Sequence, residues 1–312
     1  MSATLHPHWR LALVLALLTA ALWGVLPIAL RVVTQAMDPI TVTWYRFGTA
    51  ALLLGAYLAL TGGLPRITHE SWAVRGLLLA AALGLTANYV LFVVGVQMTT
   101  PATTVTVNQL ANVFLLLGGL LLFHERFGRL QWCGLLVLLA GQLLFFNRRL
   151  PLLFTSDTHT GLGVMLVTIG SLCWAGYGLA QKQLLKRLTS AQVLWLFYVG
   201  GMLMLWPWAH PTQLTVLDAP QRIALLFCAL NTLIAYGAFA ESMKLWQVTR
   251  VTALVATTPL FTLLAALLAA NWLRLANAAE PLNALAVAGA IAVVAGSALC
   301  ALGSQRPAPA AP

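Results

Sequence analysis

The chain has 312 residues, 61% of them hydrophobic and only 8% charged, with a mean hydropathy of +0.89. Ordinary soluble domains carry about a quarter charged residues, so this composition excludes a water-soluble enzyme or binding module and specifies a polytopic membrane protein. A net charge of +10 would suggest nucleic acid in a soluble chain, but in a membrane protein its distribution reports topology, and nucleic acid is not an expected partner.

Apolar runs long enough to cross a hydrocarbon core of about 30 Å as helices lie at residues 10–31, 40–61, 72–97, 101–123, 129–147, 161–184, 190–209, 220–246, 251–273 and 282–303. The prediction is ten transmembrane helices, since a closed barrel would show short alternating segments instead. The first run is longer than a secretory signal core and continues through Trp23-Gly24 and Pro27, so it is read as a span. Thr19, Trp23 and Pro27 share one face of it. Trp23 is near mid-span, where cavity lining competes with plain packing. In the second span Arg46 stands about two turns inside Pro39. An ionisable side chain within a span is a functional candidate by default, here for coupling or gating; the bland alternative is a snorkelling or carbonyl-capping arginine.

The third and fourth spans hold the densest polar cluster: Thr86, Asn88 and Tyr89, then Thr103, Thr104, Thr106, Asn108, Gln109 and Asn112. Thr104, Asn108 and Asn112 recur every four residues as one polar stripe down an apolar helix. Amides in lipid need partners, so the stripe must face protein or a wet cavity. The fifth span carries Gly134 and Gly141 about two turns apart, and the tenth carries Gly289 and Gly296 likewise. Small residues on one face let membrane helices approach closely, which marks these spans as scaffold or dimer contacts. Between the halves, residues 150–160 read as a linker. In the sixth span Ser171, Trp174, Tyr177 and Gln181 lie on one face; the eighth has Asn231, Thr232 and Tyr236, then Glu241 three residues before Lys244. Glu241 is the other coupling or gating candidate, weighed against a local ion pair. In the ninth span Thr257, Thr258 and Pro259 interrupt the helix, and Pro259 frees a carbonyl that could face a ligand. The tail, residues 304–312, is rich in Pro and Ala and reads as disordered. Cys133, Cys173, Cys228 and Cys300 all fall within spans without metal-ligand spacing and read as inert buried thiols.

Landmarks of the first half return in the second. Tyr89, Phe92 and Phe114 match Tyr236, Phe239 and Phe261 at an offset of 147; Trp23, Arg31 and Trp44 match Trp174, Lys182 and Trp195 at 151; Glu125, Gly134 and Gly141 match Glu280, Gly289 and Gly296 at 155. Residues 1–149 and 161–303 therefore form two repeats. Five spans per half is an odd number, so the second repeat is inverted, the arrangement that alternating access uses around a midplane site. Placing both termini in the cytoplasm puts Arg10, Arg66, Arg75, Arg126, Arg129, Lys182, Lys186, Arg187, Lys244, Arg250 and Arg306 inside, and Arg31, Arg148, Arg149, Arg222 and Arg274 outside. That is the sense the positive-inside rule requires.

Two five-helix halves, Trp-Gly in the first span, Arg in the second, Glu125 before Gly134 and Gly141, Pro259 in the ninth span and the ending from Glu280-Pro281 to Gly296 resemble the drug/metabolite transporter superfamily, and more narrowly an EamA-type metabolite exporter. The resemblance implies an inverted-repeat bundle around a central cavity, with the fifth and tenth helices outside it. It also implies export of amino acids, other metabolites or drugs, commonly with proton coupling. Glu125 and Glu280 read as helix-start residues in connections.

The resulting expectation is an all-α secondary transporter of the bacterial inner membrane, exporting small neutral or zwitterionic metabolites such as amino acids. Trp23, Tyr89, Asn108, Asn112, Trp174, Tyr177 and Tyr236 are the expected cavity residues. A drug or organic-cation exporter is the alternative within that class, and a non-transporting membrane scaffold the alternative outside it. An enzyme is not expected, because no paired carboxylates or His cluster stand within the spans. The expected partners are a small-molecule substrate, membrane lipid and a coupling proton, with no cofactor or metal, in a monomer or homodimer.

Overall fold

A computed structural model describes residues 8–99, 101–123, 128–148, 158–272 and 283–302. Glu125, Glu280, residues 149–157 of the connection between the halves, the segment 273–279 and the tail lie outside them. The described residues form eleven α-helices: α1 Trp9–Val33, α2 Pro39–Leu60, α3 Trp72–Met98, α4 Pro101–Leu122, α5 Arg129–Phe145, α6 Thr158–Leu184, α7 Ser190–Leu205, α8 Ala219–Leu245, α9 Val248–Val255, α10 Thr258–Trp272 and α11 Ala284–Leu302. Among the described residues, seven helical stretches are long and apolar enough to cross a membrane, one of them running from Val248 to Leu268 across α9 and α10; α5 and α11 are shorter apolar helices. The ten predicted spans are thus matched by seven on this criterion. The protein is an all-helical, polytopic membrane protein.

Local sequence sets the helix starts. Asp38 caps α2 by accepting from Thr41 N at 2.9 Å, with Pro39 at a position that needs no donor. Reciprocal capping boxes, Thr189 with Gln192 and Asp218 with Gln221, open α7 and α8. Outward faces are apolar: Ile223, Leu226, Leu230 and Ile234 of α8 are all exposed. Such a stripe would drive aggregation in water but is neutral against lipid tails.

Packing is symmetric under exchange of the halves. α1 packs on α8 as α6 packs on α3, α4 on α6 as α10 on α1, and α2 on α8 as α7 on α3; α2 and α7 pair with each other, as do α5 and α11. The same holds at single residues. Arg31 Nη1 donates to Val96 O at 3.1 Å, and Lys182 Nζ donates to Met243 O. Residue 182 is 31 plus 151, and 243 is 96 plus 147. Each cation therefore tethers the first helix of its half to the last turn of the third helix of the same half, where free carbonyls and the negative end of the helix dipole favour it. Likewise Asn88 Nδ2 donates to Gly170 O at 3.0 Å, while at the matched pair Thr19 Oγ1 reaches Ala235 O at 3.2 Å.

Along the α5–α11 seam two helix backbones come close together. A Cβ added to Gly134 would stand 2.9 Å from the Gly296 carbonyl oxygen, and one on Gly289 would stand 2.7 Å from that of Gly141. These are exchange-related contacts, and no real side chain tolerates such distances. The four glycines are thus occupied within one chain by each other, as scaffold.

Candidate functional site

Between the halves lies a cavity of about 70 Å³, room for several waters. α1 contributes Trp23, Leu26 and Pro27; α2 contributes Arg46; α3 contributes Asn88, Tyr89 and Phe92; α4 contributes Val105, Asn108, Gln109, Ala111 and Asn112. The second half adds Trp174 from α6, Tyr236 from α8, Val255 from α9 and Thr258 from α10. The first-half wall is the more polar one.

The aromatic lining fixes where the cavity sits. Trp23 packs edge-on against Trp174 with ring centroids 5.6 Å apart, and Tyr89 lies 5.2 Å from Tyr236. Each residue touches its own exchange mate, which places both pairs on the pseudo-two-fold axis. Trp23 also meets Tyr236 at 4.9 Å, and Phe47 backs Tyr89 at 4.6 Å. Such ring clusters are stiff, large apolar surfaces that present polar edges. Trp23 Nε1 is buried and makes no hydrogen bond to protein, so one donor stands unspent at the cavity.

The amides are partly committed. Ser171 Oγ donates to Asn108 Oδ1 at 3.3 Å, which joins the α4 stripe to α6. Asn112 Nδ2 donates to Gln109 Oε1 at 2.7 Å, and Gln142 Nε2 of α5 donates to the same oxygen at 3.1 Å. That relay turns Gln109 toward its neighbours and holds Asn112 at the wall.

Arg46 does not snorkel. It is 2% exposed, its Nε donates to Thr232 Oγ1 at 3.0 Å, and its guanidinium carbon sits 4.3 Å over the Tyr89 ring. Thr232 in turn donates to Cys228 O at 2.9 Å, so one N–H of Arg46 is locked to α8 and the rest of the fork faces the cavity it lines. The matched position in α7 is Phe197, fully buried.

Of the seven expected cavity residues, Trp23, Tyr89, Asn108, Asn112, Trp174 and Tyr236 line this space and Tyr177 does not. Tyr177 is fully buried and packs edge-on against Phe197 with centroids 5.5 Å apart. Glu241 does not line it either: its side chain is 42% exposed and its Oε2 lies 3.9 Å from Lys244 Nζ. Pro259 also behaves differently from expectation. The helix breaks between Val255 and Thr258, which puts Pro259 in the first turn of α10. The Val255 carbonyl freed there accepts from Thr258 Oγ1 at 2.6 Å, so one of its two lone pairs is met internally. Asn88 and Gln109 line the cavity from outside the four-residue stripe, and Gln142 supports it from a helix that reads as pure scaffold. An amide deep in an otherwise apolar stretch was its one visible signal.

Apolar helices in two exchange-related halves, closed around an aromatic and amide cavity on their axis, define the class of two-repeat membrane transporters. The chain belongs to the EamA-like transporter family, which matches it over residues 10–147 and 161–302, one match per half. It is 39% identical over 299 residues to the protein of Escherichia coli (strain K12) named uncharacterized inner membrane transporter YhbE, covering 95% of this chain and 92% of that one. It is 36% identical over 293 residues to an uncharacterized transporter of Haemophilus influenzae, covering 93% of this chain and 94% of that one. A solved crystal structure superimposes with a TM-score of 0.71 over 95% of this chain and 98% of its own; at 18% identity that likeness concerns the fold alone.

Proposed function

We propose that the protein is a secondary transporter of the bacterial inner membrane that exports small neutral or zwitterionic metabolites, amino acids among them, by alternating access. One observation carries this reading: side chains of both halves meet at a cavity on the exchange axis, and it is lined by aromatics and amides with no carboxylate among the described residues. Aromatic rings suit an apolar substrate moiety, and amides and indole or phenol donors suit its polar groups. An organic-cation exporter fits less well. Aromatic faces do attract cations, but the Tyr89 face is already occupied by Arg46, and a second positive charge there would be repelled.

Export direction, proton coupling and cytoplasmic termini belong to the same proposal. They rest on the charge distribution along the sequence and on the family likeness. Glu241 has no part in it, because a carboxylate paired with Lys244 and open to solvent has no contact with the cavity to which its protonation could be coupled. Counterflow in proteoliposomes over a panel of amino acids tests the proposal. Saturable, protein-dependent exchange of at least one compound is expected, accelerated by a proton gradient and abolished by an ionophore. Protein that binds members of the panel without moving any would leave a membrane scaffold as the better account.

A further inference from the structure

The buried charge at the cavity wall requires an opposite one. Arg46 is buried, only 2% exposed. Its hydrogen bond goes to a neutral hydroxyl and its ring contact to a neutral phenol. No Asp or Glu lines the cavity among the described residues. An ionised guanidinium held in low dielectric without a counter-charge is strongly disfavoured, and Arg keeps its proton under any physiological condition. Such a group persists when something else supplies the anion.

From this we infer that Arg46 is the anion anchor of the cavity, and that transported compounds carry a carboxylate, which its free guanidinium fork binds. Three features of the site agree. The Nε bond to Thr232 fixes the plane of the fork, and Thr232 is itself held by the Cys228 carbonyl, so the remaining donors are pre-organised for a planar, two-oxygen acceptor. The Tyr89 ring beneath the guanidinium blocks one face and leaves the edge as the binding direction. The lining holds no carboxylate among the described residues, so nothing there competes for the fork. The pseudo-symmetric place holds Phe197, so the anchor is single. A bound carboxylate therefore has one orientation, with the rest of the molecule directed at the aromatic pairs on the axis.

This inference rests on the transporter reading and narrows its substrate class to carboxylates, amine or no amine. The test uses purified full-length protein and three matched sets of probes: L-amino acids, their N-acetyl derivatives, which keep the carboxylate and lose the ammonium, and their amides, which lose the carboxylate. Thermal stabilisation and counterflow are read in parallel. Expected are stabilisation by acids and N-acetyl acids, and at least tenfold weaker effects of every amide on the wild type. Arg46→Gln should remove the acid preference, and Arg46→Lys should retain it with weaker binding. Because the wild-type comparison needs no mutant, a variant that fails to fold does not rescue the idea. Amides that bind and cross as well as the acids overturn the anchor while leaving the transporter reading intact. Acids that bind in an Arg46-dependent way but never cross leave the anchor and overturn transport. No stabilisation by any carboxylate in the panel overturns the anchor.

Discussion

Along the α5–α11 seam the two halves do the same thing twice, whereas at the central cavity they share only the aromatic frame. Gly134 meets Gly296 as Gly289 meets Gly141, and Trp23 with Trp174 and Tyr89 with Tyr236 form self-matched pairs. The polar groups break the match. At the offsets of the repeat, Arg46 stands opposite Phe197, Asn108 opposite Val255 and Asn112 opposite Pro259. Parts that keep two-fold sameness are those that both halves need for close packing and for equivalent openings. Parts that lose it are those that would otherwise put two charges, or two sets of unmet amides, in one small low-dielectric space. Duplication thus supplied the bundle, and divergence of one wall supplied the chemistry.

Substitutions that treat the two regions differently can break this contrast. The largest effect is expected at the seam. Gly141→Leu places a side chain against the backbone of α11, so it should cost about 3 kcal/mol or more as overpacking that cannot relax, visible as lost folded yield and a lowered melting temperature in detergent. A variant that folds normally would show that the seam is not a tight contact. Arg46→Gln should do the reverse: transport falls about 100-fold, equivalent to about 2.7 kcal/mol, while melting is unchanged or raised because an uncompensated buried charge has been removed. Loss of both stability and transport in parallel would make Arg46 a structural residue.

A smaller change is expected on converting the first-half wall to the second-half pattern. Asn108→Val should lower transport about tenfold through one lost hydrogen bond and leave folding intact, since the single proton of Ser171 is then left to the Val167 carbonyl, 2.8 Å from its Oγ. The smallest effect belongs to Glu241→Gln. Lys244 is 46% exposed and reaches water at modest cost, so gradient-driven transport should stay within about twofold of wild type, a partly exposed i,i+3 pair being worth only about 0.3–0.5 kcal/mol. Loss of gradient-driven transport with exchange intact would restore Glu241 to the coupling route.

Much of this was legible in the sequence because the repeat carries register. Offsets of 151 and 147, read from aromatic and basic landmarks, reappear as the paired contacts of Arg31 and Lys182 with the third helices. The six cavity residues were legible because an aromatic or amide placed mid-span has few other reasons to be there. Tyr177 stands behind the lining, because spacing assigns a face without saying what that face meets; three residues after Trp174 its ring packs on Phe197 at 5.5 Å and on the cavity residue Tyr236 at 6.2 Å. The burial of Arg46 shows only in the structure. Two turns from a helix end normally means an interface, but here the connection between α7 and α8 crosses the start of α2, with the Tyr45 hydroxyl donating to Pro211 O at 2.7 Å and His210 N to Thr41 Oγ1 at 2.9 Å. That covering is non-local and leaves no trace in the α2 sequence. The break at residues 256 and 257 was visible in Pro259, but the hydroxyl of Thr258 that closes it shows only in the geometry.

The central claim is that the cavity on the exchange axis is the substrate path and opens to each side in turn. It is tested most directly by a single cysteine at Asn112, in a background where Cys133, Cys173, Cys228 and Cys300 are replaced, labelled with a membrane-impermeant maleimide in right-side-out and in inverted vesicles. Labelling from both sides is expected, slowed at least severalfold by any transported carboxylate. Reactivity from one side alone, with and without a proton gradient and unaffected by every compound that the protein moves, would contradict the account.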